Sequence, residues 1–144
     1  VEGATGTLHS NFEGKAEAAV KALLDGDDFV YVHMEAPDEC GHQGDLEGKI
    51  KSIEIIDKKV VKRIAEAMES AGEDYRVLIL PDHRTPIEIR THSSEPVPYV
   101  IYDSRFDTNK LENRFSERAA LTASNFFDAG HKLMTYFLKQ DTIN

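Results

Sequence analysis

Apolar positions along the chain recur in two patterns. Residues 11–24 and 46–70 are apolar at every third or fourth position, as in helices with one buried face. Residues 29–34, 75–80 and 99–102 are short runs of apolar, β-branched and aromatic residues, as in buried strands. A last helix, rich in aromatic residues, is predicted over 116–139. The predicted order is therefore helix, strand, helix, strand, strand, helix.

Capping residues mark the ends of the predicted helices. Asn11 and Asp45 are suited to accept hydrogen bonds from the first free backbone N–H groups of the helices that follow them. Gly26 and Gly72 stand where the apolar periodicity stops. Residues 35–45 mix proline and glycine with acids and histidines, and this segment is predicted to be irregular.

The alternation of uncharged apolar strands with amphipathic helices predicts an α/β fold. The expected architecture is a mostly parallel sheet with helices on both faces. In such sheets, ligands bind beyond the carboxyl ends of the strands. Acidic and histidine residues follow the first two strands, at Asp38, His42, Asp82 and His83, and His92 lies in the next loop.

Length and composition narrow the classes of function. The 144 residues are enough for one domain with a sizeable core. The net charge of −9 argues against a nucleic-acid-binding surface, and no apolar run has the length of a membrane span. The single cysteine, Cys40, cannot form an internal disulfide. We expect a cytoplasmic protein with neither nucleic acid nor membrane as a partner.

Three short motifs place metal-binding side chains after strands. They are Ala36-Pro37-Asp38-Glu39-Cys40-Gly41-His42, Leu80-Pro81-Asp82-His83 and Thr91-His92-Ser93-Ser94-Glu95-Pro96-Val97-Pro98. Asp38 and His42 are four residues apart, close enough for one ion in a tight turn or a helical turn. Asp82 and His83 reach one ion only if the backbone turns there, since neighbours on a strand point opposite ways.

Taken singly, each motif is better explained by a surface acid and a hydrogen-bonded loop histidine. Taken together, at the strand ends of one sheet, the motifs indicate a divalent metal. Carboxylate and imidazole ligands suit ions such as manganese or zinc.

The motifs resemble those of the cofactor-independent phosphoglycerate mutases, in the archaeal-type branch of the alkaline phosphatase superfamily. The matching stretches are Val32–Asp45, Pro81–Pro86 and Thr91–Pro98, together with Gly3–Gly6 and Asn11–Lys15. The resemblance covers nearly the whole chain, and the order of the three motifs makes it specific. It implies an alkaline-phosphatase-like fold, of which residues 1–144 would be the C-terminal part.

By this resemblance, two divalent metal ions flank a serine that becomes transiently phosphorylated. Asp38, His42 and His92 would hold one ion. Asp82 and His83 would hold the other, together with an aspartate and the serine from an upstream segment. Manganese is the expected metal, with zinc, cobalt or magnesium as alternatives.

The resembling enzymes are isomerases of glycolysis and gluconeogenesis that interconvert 3-phosphoglycerate and 2-phosphoglycerate. Their nucleophilic serine lies near the N-terminus, whereas this chain begins at Val1 in what reads as a loop, and Ser93 and Ser94 stand in a different motif. We expect a piece of a longer protein that supplies metal ligands but not the nucleophile. Alone it would be inactive, because it needs the N-terminal part of the same protein.

Two other functions stay open on sequence grounds. Another phosphatase or phosphomutase of the superfamily would share the metal ligands, although the stretch Glu35–Asp38 favours the mutase. A chain that only binds metal, or a partner, would also carry them. Upstream sequence containing a strand followed by aspartate, and later a serine in a turn, would identify an enzyme.

Residues beside the motifs have less specific roles. Arg84 is a candidate for orienting the phosphate or carboxylate of a small phosphorylated substrate. Asp45 is expected to be a helix cap rather than an acid near the metal, and Cys40 to fill a small apolar space. His131 is expected to be an ordinary residue of the last helix.

Overall fold

The computed structural model describes residues 1–106 and 115–139. They divide into two compact units. The first contains Val1–Asp74 and His83–Glu95, and the second contains Tyr75–Asp82 and the residues from Pro96 onward. No helix in the described part of the chain has the length and apolar character needed to cross a membrane.

The first unit is built from helices and their connecting loops. The helices are α1 (Phe12–Leu24), α2 (Ala36–Gln43), α3 (Leu46–Ile56) and α4 (Lys62–Ala71), and Asp57–Val61 forms a π-helical turn between α3 and α4. The Asn11 side chain accepts a hydrogen bond from the N–H of Gly14 at 2.8 Å, and Asp45 accepts one from Gly48 at 2.9 Å. Both predicted caps are thereby confirmed. The predicted long helix after Asp45 is also confirmed, except that the π-helical turn interrupts its α-helical hydrogen bonding.

The structure differs from the sequence prediction at residues 35–45, most of which form helix α2. Pro37 lies in the first turn, where its missing N–H removes no helical hydrogen bond. Gly44 ends the helix in the left-handed conformation, with φ 72° and ψ 22°. The proline and glycine that suggested a loop therefore begin and end a helix.

The core of the first unit lies where α1, α2 and the π-helical turn meet. Phe12 and Ala16 of α1 cluster there with Ala36 of α2 and Val60 of the π-helical turn, and all four are buried. The partly buried residues packed against this cluster are Val32, Met34, Ile55, Ile56 and Ile64. Helix α2 is therefore fixed on the core through its first residue.

The predicted strand at 29–34 is not part of a sheet. Val32 and Met34 pack on the core cluster, whereas Tyr31 is 70% exposed and His33 is also exposed. This alternation is that of a strand with one covered face. Within the described residues no other strand pairs with it, and the apolar pattern of a strand does not specify which neighbour completes its ladder.

The second unit contains a two-stranded antiparallel sheet. It comprises β1 (Arg76–Ile79), β2 (Val100–Asp103), α5 (Glu117–Ala120) and α6 (Gly130–Lys139). Arg76 lies opposite Asp103, and Ile79 lies opposite Val100. Both predicted strands form, but the sheet of the described residues is antiparallel. The expected mostly parallel sheet with helices on both faces is therefore not confirmed.

The predicted last helix over 116–139 is interrupted. Residues 121–129 are not helical, and they separate α5 from α6. This stretch contains Thr122, Ser124, Asn125 and Asp128, whose short polar side chains compete for backbone hydrogen bonds and lower helix propensity. The aromatic pattern that suggested one long helix did not account for these residues.

A buried carboxylate organises the polar interior of the second unit. Asp103 is 1% exposed, and it accepts hydrogen bonds from Arg76 Nε at 2.9 Å and from Arg105 Nη2 at 2.8 Å. Arg76 Nη1 also donates to the carbonyl oxygen of Phe137 at 2.6 Å. The arginine therefore connects β2 and α6 through one guanidinium group.

Candidate metal centre

Helix α2 presents Asp38 and His42 on one side. Residues four apart on a helix lie one above the other. Asp38 Oδ2 is 3.4 Å from His42 Nε2, and both side chains are half-buried. The spacing that the sequence left open between a tight turn and a helical turn is a helical turn.

A loop of the same unit, residues 83–95, brings in the third side chain. The N–H of Ser93 donates to the carbonyl oxygen of Arg84 at 3.1 Å, in an isolated antiparallel bridge. The bridge closes the loop, and His92 Nε2 lies 3.1 Å from His42 Nε2 and 3.4 Å from Asp38 Oδ1. His92 stands 50 residues after His42, so the tertiary fold creates this proximity.

The three side chains form a cluster of electron-pair donors. One carboxylate oxygen and two imidazole nitrogens, from Asp38, His42 and His92, lie within 4.8 Å of one another. An ionised carboxylate only accepts hydrogen bonds, and a neutral imidazole has one ring nitrogen without a proton. A cation among these atoms would therefore be stabilised by all three. Oxygen and imidazole donors together suit manganese, zinc or cobalt.

Asp38 stays ionised in this cluster. Partial burial raises the pKa of its carboxyl, but a hydrogen bond from the Thr85 hydroxyl and the positive charge available on the neighbouring imidazoles outweigh burial. The net pKa of Asp38 lies below its ordinary value. The carboxylate is thus available as an anionic ligand at neutral pH.

A lysine ties helix α2 to the loop that carries His92. Lys49 Nζ donates to the carbonyl oxygens of Pro37 at 3.0 Å and Thr85 at 2.9 Å. The helix and loop approach so closely that a Cβ on Gly41 would lie 2.6 Å from the Thr85 carbonyl oxygen. Glycine at this position therefore permits the contact that places the Thr85 hydroxyl on Asp38.

Of the other predicted site residues, His83 lies beside the cluster. His83 Nδ1 is 4.0 Å from Asp38 Oδ1, and the His83 ring centroid is 3.7 Å from that of His92. Arg84 is half-buried and pairs with Ser93 through the bridge. Asp82 is the last residue of a segment that belongs to the second unit, and its role stays a prediction, as do those of His83 and Arg84.

The neighbouring residues have structural roles. Asp45 caps α3 through Gly48, as predicted. Cys40 is buried, and burial raises the pKa of its thiol, which keeps it in the neutral form. His131 is exposed on α6.

Sequence reasoning missed the groups that hold the ligands in place. Thr85 lies inside a recognised motif, but nothing in its spacing indicates a hydrogen bond to Asp38. No role was predicted for Lys49 from the sequence. The carbonyl oxygen of Arg90, which lies 3.0 Å from His42 Nδ1, has no side-chain signal at all.

The sequence of this chain is similar to those of known metalloenzymes. Residues 1–137 match the metalloenzyme superfamily. A protein of Methanothrix thermoacetophila named 2,3-bisphosphoglycerate-independent phosphoglycerate mutase is 55% identical over 104 residues, which cover 72% of this chain and 26% of that protein. A protein of Geobacter sulfurreducens with the same name, marked as probable, is 44% identical over 138 residues, which cover 96% of this chain and 34% of that protein.

A solved structure supports the fold. A protein of Pyrococcus horikoshii aligns with a TM-score of 0.68 and 35% sequence identity, over 83% of this chain and 35% of that protein. The chain spans only 26% and 34% of the length of the two curated relatives above.

Proposed function

Because the chain belongs to the metalloenzyme superfamily, we propose that Asp38, His42 and His92 hold one divalent metal ion. The observation that carries this proposal is the convergence of their three ligand atoms within 4.8 Å. Outer partners support it: Thr85 donates to Asp38, and the Arg90 carbonyl faces the second ring nitrogen of His42. Such outer contacts are a regular feature of protein metal sites.

The site would carry positive charge in an acidic chain. One carboxylate and two neutral imidazoles around a dication leave a net charge of about +1, which attracts an anionic phosphate. A second ion would be held by Asp82 and His83 with ligands from outside this chain. Within the first unit, the His83 ring centroid lies 3.7 Å from that of His92. Manganese is our preferred metal for both.

We further propose that the chain is part of a phosphoglycerate mutase that works through a phosphoserine intermediate. The names and identities of the relatives support this, with identity reaching 55%. Bound divalent ions supply charge stabilisation for the attacking and leaving oxygens of phosphoryl transfer. Asp38, His42 and His92 would fix the ion, and Arg84 would orient the substrate's phosphate or carboxylate. The serine would come from outside this chain.

The proposed function is tested by comparing two lengths of the protein. The 144-residue chain with manganese should show no interconversion of 3-phosphoglycerate and 2-phosphoglycerate above background, because loss of a covalent nucleophile removes many orders of magnitude of rate. A longer form that includes the upstream sequence should be active, and Asp38→Asn should abolish that activity. Turnover by the short chain that disappears in an identically purified Asp38→Asn variant would contradict a missing nucleophile. Phosphatase activity without mutase activity in the longer form would select a different member of the superfamily.

Metal binding should weaken steeply as the solution is acidified. An imidazole nitrogen binds metal only without its proton, and histidine ordinarily takes up that proton near pH 6.5. The lowered pKa of Asp38 keeps the carboxylate from adding a third proton in this range. Two histidine ligands therefore predict a loss of manganese affinity approaching about a hundredfold per pH unit where protons compete for both imidazoles. Titration calorimetry between about pH 5 and 8 measures this slope.

A slope near tenfold per unit would show that only one histidine is a ligand. An affinity that does not change with pH would contradict histidine ligation altogether.

A further inference from the structure

Arg90 has an unusual backbone conformation beside the candidate metal centre. It is the one residue other than glycine with positive φ in the described ranges, with φ 52°. A left-handed conformation costs a residue with a Cβ about 1–2 kcal/mol. Its N–H donates to the carbonyl oxygen of Pro86 at 3.0 Å, which closes a tight turn. The turn therefore holds Arg90 in a conformation that the residue itself disfavours.

The Arg90 side chain packs against the end of helix α2. A Cβ on Gly44 would lie 2.6 Å from Arg90 Nε and 2.8 Å from Arg90 Cζ. Gly44 is itself left-handed, with φ 72°. The guanidinium group thus covers the bare backbone of the helix C-terminus, next to the last turn that carries His42.

The conformation of Arg90 directs its carbonyl group at His42. The carbonyl oxygen lies 3.0 Å from Nδ1 of the imidazole, and a carbonyl can only accept a hydrogen bond. Nδ1 therefore carries the proton, and the unprotonated Nε2 of the neutral ring faces Asp38 and His92 at 3.4 Å and 3.1 Å. The other tautomer would place an N–H where the ion is proposed to bind.

We propose that Arg90 is a positioning residue for the metal centre. Its left-handed backbone selects the tautomer of His42 that has a free electron pair on Nε2. The effect belongs to the backbone and not to the positive charge of the side chain. The consequence for metal affinity rests on the proposed function, but selection of the tautomer does not, and the two are measured separately.

Three substitutions separate backbone from side chain. Arg90→Gly and Arg90→Asn remove the guanidinium group, but both residues adopt positive φ readily. Arg90→Val also removes it and strongly disfavours positive φ. If Arg90→Val does not fold, Arg90→Ala replaces it, because alanine also disfavours the left-handed region.

The first readout needs no metal. Ring 15N chemical shifts of His42, recorded on the metal-free chain near pH 8, report which nitrogen carries the proton. We expect the Nδ1–H tautomer to dominate in the wild type, Arg90→Gly and Arg90→Asn. We expect Arg90→Val to populate the Nε2–H tautomer. A wild type that is mainly Nε2–H, or a valine variant with wild-type shifts, would overturn the proposal.

The second readout is manganese affinity by titration calorimetry. Loss of an outer hydrogen bond to a ligand usually lowers affinity by about 10–100-fold, and we expect this loss for Arg90→Val. The manganese affinities of Arg90→Gly and Arg90→Asn should stay within about threefold of the wild-type affinity, a change well below the loss expected for Arg90→Val. Equal losses in the glycine and valine variants would assign the effect to the guanidinium group and overturn the proposal. No manganese binding by any form, together with the expected tautomer series, would refute metal binding by this chain on its own and leave the tautomer proposal standing.

Discussion

Replacing His92 with alanine is expected to lower the affinity of the chain for Mn²⁺ or Zn²⁺ by about 10–100-fold, a loss at least as large as that caused by removing an outer partner of a ligand. His92 supplies one of three converging ligand atoms, and its Nε2 lies 3.4 Å from Asp38 Oδ1. His92→Ala leaves only Asp38 and His42 of helix α2 to hold the ion. The side chain of His92 is 52% exposed, so its removal should leave the fold intact. Titration calorimetry on both proteins gives the ratio of affinities.

His131→Ala is the matched control. It also removes one exposed histidine, but from helix α6 of the second unit. It should leave metal affinity unchanged. Equal losses from both substitutions would indicate non-specific histidine binding. Absence of binding even at millimolar metal would mean that the site needs residues outside this chain to assemble.

The largest expected effect on stability comes from Asp103→Asn. The wild-type carboxylate is 1% exposed and accepts hydrogen bonds from Arg105 Nε at 2.9 Å and from Arg76 Nε at 2.9 Å. Removing its charge removes the anion that pairs with Arg76, a side chain that is only 16% exposed. Breaking a buried ion pair from one side usually lowers the free energy of unfolding by about 3–5 kcal/mol. Urea denaturation at neutral pH measures this loss.

The effect of Asp103→Asn should depend on pH. The hydrogen bonds from Arg105, followed by those from Arg76, hold the pKa of Asp103 far below its ordinary value despite burial. A carboxyl group with a lowered folded-state pKa stabilises the fold above its unfolded-state pKa, roughly 3.9. That stabilisation is lost as the pH falls through and below this value. The difference between wild type and variant should therefore narrow on acidification.

Asp128→Asn is the control for the change of charge. Asp128 is 72% exposed and pairs with Lys132 on the surface of the same unit. Exposed ion pairs contribute little, so this variant should unfold at nearly the wild-type urea concentration. Comparable destabilisation in both variants would show that net charge, and not the buried network, determines the effect.

Local signals in the sequence predicted the helices of the first unit more reliably than the sheet. The caps Asn11 and Asp45 form as expected because capping depends on residues three positions apart. The strands at 75–80 and 99–102 also form, but the direction of pairing depends on residues far apart in the chain. Residues 29–34 keep the alternation of a strand without a paired neighbour in the described part of the chain.

The candidate site shows the same division. The sequence identified Asp38, His42 and His92 because carboxylate and imidazole are recognisable side chains in motifs, and the structure brings the three together. It did not identify helix α2, because proline and glycine were taken as loop signals although they occupy the first turn and the C-cap. The role of the Arg90 carbonyl could not be predicted, because every residue has a carbonyl group. Only the tertiary fold determines which carbonyl lies against His42.

The separation of His42 and His92 by 50 positions has a consequence for folding. An ion held by both histidines would be a reversible cross-link that closes a long loop of the chain. Because the ion would bind only the folded chain, each tenfold excess of free ion over its dissociation constant would stabilise the fold by about 1.4 kcal/mol. Unlike a disulfide, this cross-link would open and close with the concentration of free metal. The supply of ions would then set how tightly the His92 loop is held on helix α2.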